Sequence, residues 1–177
     1  DETLVLRMEP DVLVWTNHSI HLYLTVRELD ALTLTASGDA FLPDLQADRL
    51  ALTVAGSGDL KTGTLEVRVL ETQLAGSGGM NIAQATVAEQ LQTIIQGSGD
   101  LKMGALTTES LSVLISGSGG ARITEGTAQI QRIVIAGSGD YRAAGLQNTE
   151  AQIEVRSSGT AYTSVADHLN VKITGSG

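Results

Sequence analysis

The stretch Ile133-Val-Ile-Ala-Gly-Ser-Gly-Asp140 decides how this chain folds. Two aliphatic residues flank a third position and run into a Gly-Ser-Gly corner closed by an acid. The same corner stands at Leu52-Thr-Val-Ala-Gly-Ser-Gly-Asp-Leu60 and Ile94-Ile-Gln-Gly-Ser-Gly-Asp-Leu101, and at Val113-Leu-Ile-Ser-Gly-Ser-Gly-Gly120 with Gly in place of the acid. Working outward, Ser-Gly pairs recur at Ser37, Ser57, Ser77, Ser98, Ser118, Ser138, Ser158 and Ser176. Their intervals are 20, 20, 21, 20, 20, 20 and 18 residues. A fixed period near twenty marks a stacked coil, in which each turn is one unit that buries its apolar face only against its neighbours.

Alignment on the repeat serine gives columns. Three residues before it lie Leu34, Val54, Leu74, Ile95, Ile115, Ile135, Val155 and Ile173, all aliphatic. Five before it lie Leu32, Leu52, Thr72, Thr93, Val113, Ile133, Ile153 and Val171, with mixed residues between. This alternation marks a strand with one face in the core. The residue after each serine is always Gly, and the one before is Gly except at Ala36 and Ser157. Both positions are expected to face inward at a bend that has no room for a Cβ and favours φ > 0. Ala40, Leu60, Met80, Leu101, Ala121, Tyr141 and Ala161 take the next inward position. Parity then flips. Leu45, Leu65, Ala85, Leu106, Gly126, Leu146 and Ala166 open another short side, continued by Val67 and Val87. A further corner returns to Leu50, Leu70, Leu91 and Leu111.

Each repeat therefore holds three short strands and three corners. Coils stacked at ~4.8 Å form parallel ladders, and such crossovers are right-handed. The sequence reads as all-β: a right-handed parallel β-helix of about 20 residues per coil. A leucine-rich repeat shares the period but needs an Asn or Cys ladder and a helical or irregular side, whereas segments such as Thr64-Leu-Glu-Val-Arg-Val69 alternate like strands. An antiparallel propeller would not return the same core residue type once per twenty positions. One domain, 1–177, is expected, with 1–30 as less regular N-terminal strands forming a cap and 31–177 as regular coils. The cap strands are read at Thr3–Arg7, Val12–Trp15 and Ile20–Val26. Trp15, the only tryptophan, is expected to plug the first coil.

Composition narrows the function. Aromatics are 3% against 42% hydrophobic residues, so the core is aliphatic. The net charge is −9, and the eleven Lys and Arg are spread along the chain, which argues against nucleic acid and anionic membrane as partners. There is no Cys, hence no thiolate chemistry. No apolar stretch approaches ~18 residues, so no membrane insertion by a spanning helix is expected. The chain starts at Asp1 without Met, so an upstream segment carrying any targeting signal is expected. It stops at Gly175-Ser-Gly177, where another coil would start, so self-association through open coil ends is a second expectation.

Two columns could carry recognition. Two residues after each repeat serine stand Asp39, Asp59, Gly79, Asp100, Gly120, Asp140 and Thr160. Two further on stand Phe41, Lys61, Asn81, Lys102, Arg122, Arg142 and Tyr162. Both point outward by parity, so acidic and basic columns run side by side, with Asp59/Lys61, Asp100/Lys102 and Asp140/Arg142 as partly neutralising pairs. They form either a polar strip for a glycan or a protein, or a solvated face with weak surface pairs. Neither a catalytic residue nor a metal or cofactor site is assigned. One Asp per coil beside a cationic column does not offer calcium its six to eight oxygens. Stacked Asp residues fall near glycosidase spacings by geometry alone. His18, His21 and His168 do not converge by spacing, and no base recurs beside the serine row.

The quoted motifs, together with Leu29-Asp-Ala-Leu-Thr-Leu-Thr-Ala-Ser-Gly-Asp39, resemble the bacterial family described as putative auto-transporter adhesin, head GIN domain. The resemblance runs from about Thr3 to Gly177 and implies a β-helical protein of the periplasm, outer membrane or cell surface, with no catalytic residues to carry over. The expected function is a non-enzymatic extracytoplasmic scaffold for adhesion or for binding a ligand or partner. A self-assembling, bactofilin-like β-helix and a polysaccharide lyase or hydrolase on the same fold are the alternatives.

Overall fold

The computed structural model describes residues 4–5 and 22–177. Nine strands follow in order: β1 (Ala31–Leu34), β2 (Ala40–Leu42), β3 (Leu45–Val54), β4 (Leu60–Leu74), β5 (Met80–Ile95), β6 (Leu101–Ile115), β7 (Ala121–Ile135), β8 (Tyr141–Val155) and β9 (Ala161–Ile173). Every pairing is parallel, in the order β1-β3-β4-β5-β6-β7-β8-β9, with β2 on β4. Leu50 thus sits beside Leu70, Leu70 beside Leu91 and Leu91 beside Leu111. The chain is an all-β parallel solenoid of about seven turns, each about 20 residues long.

The three expected sides are present, but two of the corners are very tight. The β4–β5 ladder passes over Gly63 and Arg68 and is otherwise continuous from Leu60 to Leu74. Burial resets at those two places. Leu60 and Thr62 face inward, then Leu65 and Val67, then Leu70, Thr72 and Leu74. A corner that forfeits a single ladder position leaves the strand unbroken, so each full coil is one bent strand. The Gly-Ser-Gly corner leaves the ladder in every coil, and the ladder also lapses between Leu42 and Leu45 and over 123–125. The inward rows are mostly aliphatic, and Leu50, Leu70, Leu91 and Leu111 are each at most 1% exposed. Thr72 and Thr93, the polar members of their row, satisfy each other through an Oγ1–Oγ1 hydrogen bond of 2.8 Å.

Irregular intervals become irregular corners. Counting the Gly-Ser-Gly corner as the first and the one at Gly63 as the second, the 21-residue interval puts its extra residue into the third corner, where register shifts between Val67 and Val69 and again between Val87 and Gln90. The 18-residue interval shortens the second corner of the last coil. Ala143 pairs with Thr163, but Gln147 already pairs with Ser164 and Asn148 with Val165. Ala166 is therefore not in the column of Leu146, as alignment on the serines predicts. It is exposed, and Val165 turns partly inward instead.

The corner glycines are needed for a reason other than the expected one. Gly126 is the only described glycine with positive φ, at +131°. At Gly76, Gly97, Gly117 and Gly137, a Cβ would point along the stack and overlap the carbonyl oxygen of the corresponding glycine one coil earlier. Gly78, Gly99, Gly119 and Gly139 meet the same obstacle one column away. From Gly58 to Gly159 the glycine after each repeat serine is buried and the residue before that serine is half-buried, not fully inward, whereas both positions are exposed in the first and last repeats. Close approach of backbones, not left-handed φ, selects glycine here. Ser157, which does carry a Cβ at this corner, turns its hydroxyl onto the Gly137 carbonyl.

At the N-terminal side, Leu22–Val26 form no strand and are exposed, contrary to the strand expected over Ile20–Val26. These residues have no ladder partner among the described residues, and apolar alternation alone does not hold a strand. Most of the other cap strands, with Trp15, His18 and His21, lie outside the described residues.

A buried polar cluster closes the far end of the core. Gln131 occupies the column of Leu111 and is 0% exposed. Its Oε1 accepts from the Tyr141 hydroxyl and from Thr163 Oγ1, each at 3.2 Å. Its Nε2 donates to Asn148 Oδ1. Asn148 Nδ2 donates in turn to the Leu146 and Ser164 carbonyls at 3.0 and 2.7 Å. Burial pushes the Tyr141 hydroxyl well above the ordinary tyrosine pKa, so it stays a neutral donor.

Two outcomes follow. Gly97→Ala should destabilise the fold by at least about 3 kcal/mol, because two backbones must separate, whereas Gly79→Ala, with its nearest atom at 3.3 Å, should cost under about 1 kcal/mol; urea unfolding of both variants measures the contrast. Gln131→Leu restores the aliphatic column yet removes the partners of Tyr141 and Asn148. It should lose about 2 kcal/mol, more than Tyr141→Phe at about 1, and a gain in melting temperature for Gln131→Leu would contradict this account.

Candidate functional site

The first corner carries the two polar columns out onto one face. Lys61, Asn81, Lys102, Arg122 and Arg142 are exposed at successive positions of paired strands. The ladder fixes their spacing at ~4.8 Å per coil. Beside them the repeat serines Ser77, Ser98, Ser118 and Ser138 present exposed hydroxyl-bearing side chains. The three predicted pairs are thus brought to one face, but they do not behave alike. Arg142 Nη2 closes onto Asp140 Oδ2 at 2.8 Å. Asp59/Lys61 and Asp100/Lys102 form no ion pair within 4.0 Å.

The acids have another task. Asp39 Oδ1 accepts from the backbone N–H of Asp59 at 2.8 Å, and Asp59 Oδ1 from Gly79 at 2.8 Å. Asp100 holds Gly120 N–H at 2.7 Å and Asp140 holds Thr160 N–H at 3.0 Å. Each carboxylate clamps the next coil's corner, where the strand ladder has lapsed and an amide needs an acceptor. Asp44 does the same at the second corner, accepting from Thr64 N–H at 2.7 Å. Asp44 was missed in the sequence; its signal is the distance of 20 residues to its partner, the same as for Asp39, Asp59, Asp100 and Asp140.

Two concavities run along this face. One of about 520 Å³ is lined by Asp100, Lys102, Arg122, Asp140 and Arg142, among others. Another of about 360 Å³ is lined by Asp59, Lys61, Asn81, Asp100 and Lys102. They share Asp100 and Lys102, so together they form a shallow trough parallel to the stack. Tyr162 stands at one end with the Arg142 guanidinium 6.0 Å from its ring centroid. A third concavity of about 420 Å³ lies beside the third corner, over the stacked column Thr86, Thr107 and Thr127.

Other charges tie coils together. Arg68 reaches Asp48 at 2.7 Å and Glu89 at 2.8 Å, one coil below and one above. The hydrogen bond from Arg68 holds the Asp48 carboxyl below its ordinary range. Glu154 takes Arg156 at 2.9 Å and Lys172 at 3.2 Å, and those two bonds bring its carboxyl down to about 2. These pairs are exposed and worth little individually. His168 is exposed on β9. Among the described residues no three His, Asp or Glu side chains converge as a metal site.

Replacing a clamp tests its role. Asp100→Asn keeps an oxygen acceptor for Gly120 N–H and should leave the melting temperature within a degree or two, whereas Asp100→Ala removes it and should cost about 1 kcal/mol. Equal effects of the two substitutions, read by thermal unfolding, would show that charge rather than the backbone bond matters.

The family model described as putative auto-transporter adhesin, head GIN domain, matches the chain twice, over residues 1–125 and 88–177. No curated protein and no solved structure matches it significantly. The two matches overlap at 88–125 and between them span the whole sequence, so the chain belongs to the putative auto-transporter adhesin, head GIN domain family.

Proposed function

We propose that this chain is a non-enzymatic, extracytoplasmic scaffold that binds a surface glycan or protein through the trough along its first corner. The carrying observation is that the two concavities, lined between them by Asp59, Lys61, Asp100, Lys102, Asp140 and Arg142, meet at Asp100 and Lys102 on a hydrogen-bonded ladder. A rigid row of like side chains presents the same contact many times, and linked weak contacts raise avidity without any tight single site. The family's description as an adhesin head fits a surface location and a binding role. Clamping of Asp39, Asp59, Asp100 and Asp140 onto backbone amides speaks against these carboxylates serving as a lyase's or hydrolase's acid and base.

A second reading has its own observation. Leu169, Val171 and Ile173 continue the core columns on the last strand and are 55%, 47% and 51% exposed. An apolar surface of this kind accepts a further coil, and a second copy can supply it.

The test is an array of glycans and matrix proteins probed with the purified chain. Binding by the native chain should fall at least tenfold in Lys61→Glu/Lys102→Glu, whose unfolding should be unchanged because both side chains are exposed. Reversing the cations leaves the aspartate clamps intact, which reversing Asp100 would not. Undiminished binding by the double variant would remove the trough from the reading, and concentration-dependent fibres with no array ligand would favour assembly.

A further inference from the structure

We infer that Arg122 is the centre of an anion subsite and that the trough takes an acidic glycan, one bearing carboxylates or sulfates along its length; this rests on the binding role proposed above. The argument lies in which cations keep a counter-charge. Along the corner, Lys61 follows Asp59, Lys102 follows Asp100 and Arg142 follows Asp140, each two residues after an acid. Where Gly79 replaces the acid, Asn81 replaces the cation. Asp39 stands with Phe41, an acid without a cation, and one coil has the reverse: Gly120 stands in the acid column, and Arg122 still stands in the basic one.

The structure makes that imbalance local. Arg122 pairs in register with Lys102 on one side and Arg142 on the other. Arg142 is already bound to Asp140, while Arg122 and Lys102 form no ion pair within 4.0 Å. The nearby carboxylates are committed elsewhere, Asp100 to Gly120 N–H and Asp140 to both Thr160 N–H and Arg142. The 520 Å³ concavity is centred on this coil, and three cations face two occupied acids across it. Gly120 also keeps the floor open, since a Cβ there would come 2.9 Å from the Asp140 carbonyl oxygen.

A guanidinium exposed in a concavity, with an ammonium one coil away, matches a carboxylate or sulfate with a bidentate bond and a supporting charge. The exposed serine row alongside can meet sugar hydroxyls. The direction of the trough suits a linear chain laid along the stack. A nucleic acid is disfavoured, because the concavity has no aromatic stacking platform in its lining and few phosphates could be met.

The probes are polygalacturonate, its fully methyl-esterified form, dextran sulfate and random-sequence duplex DNA, compared by affinity electrophoresis and calorimetry at low and high salt. Polygalacturonate or dextran sulfate should bind at least tenfold more tightly than the ester, with the difference shrinking at high salt. Arg122→Gln should lose at least tenfold with an unchanged unfolding transition, and Arg132→Gln, on another side of the coil, should lose nothing. Equal binding of ester and acid, tighter binding of DNA than of either acidic glycan, or full binding by Arg122→Gln would each overturn the subsite. Failure of every acidic glycan while an array ligand still depends on Lys61 and Lys102 would end this inference and leave the broader reading standing. Absence of any ligand dependent on the trough would end both.

Discussion

Everything in this fold depends on how closely one coil can lie on the next. The parallel ladder sets a spacing of ~4.8 Å, and at the Gly-Ser-Gly corner the stacking approach runs through the Cα positions themselves. The carbonyl of Gly56 occupies the space that a Cβ on Gly76 would take, and Gly76 does the same to Gly97. Glycine at these two columns lets the ladder close up on all three sides. Amides such as Gly78 N–H then reach the Gly56 carbonyl at 3.2 Å and Gly99 N–H the Gly76 carbonyl at 3.3 Å. The aliphatic rows inside are held in contact by the same spacing, so the corner and the core enforce one another.

That constraint explains why the architecture was legible and several details were not. Recurrence of Leu, Val and Ile three residues before each serine reports burial directly, and the parallel register follows once the columns are drawn. The glycines were legible as necessary but not in their cause: composition cannot separate a φ requirement from a close approach between coils. The last coil misled because alignment on the serine assumes that missing residues come from anywhere but the corner being aligned; the deletion lies between Ala143 and Gln147, and Val165 rather than Ala166 turns inward. Leu22–Val26 alternate convincingly, yet alternation without a ladder partner builds no strand.

Function was harder to read, because a column has two directions. Taken across the coil, Asp100 and Lys102 look like a pair. Taken along the axis, Asp100 belongs to Gly120, its hydrogen-bonded partner one turn later. The axial relation dominates because a backbone amide has a fixed position and direction, whereas a lysine ammonium is mobile, hydrated and only weakly held at a surface. Acids placed at the corner are therefore structural first. What they leave over, the cations without fixed partners, is the chemistry available to a ligand. The same logic makes Asp44 a structural residue despite its exposure.

The core shows why a repeat can be regular outside and uneven inside. Tyr141 is fully buried in a column whose neighbours on both sides are Ala121 and Ala161. Its hydroxyl reaches Gln131 on the opposite flank, so the ring spans the interior. A stack of large residues could not make room for that ring, and a stack of alanines would leave a void; alternation of large and small keeps the interior at crystal-like density. Gly126, between Leu106 and Leu146, belongs to the same adjustment. With so few aromatics in the chain, one tyrosine and the amides that satisfy it replace aliphatic volume where the coils shorten. The outer face is untouched by this exchange, since parity keeps Arg122 and Arg142 outward whatever fills the row behind them. A solenoid can thus change its core from coil to coil while holding a surface column in strict register.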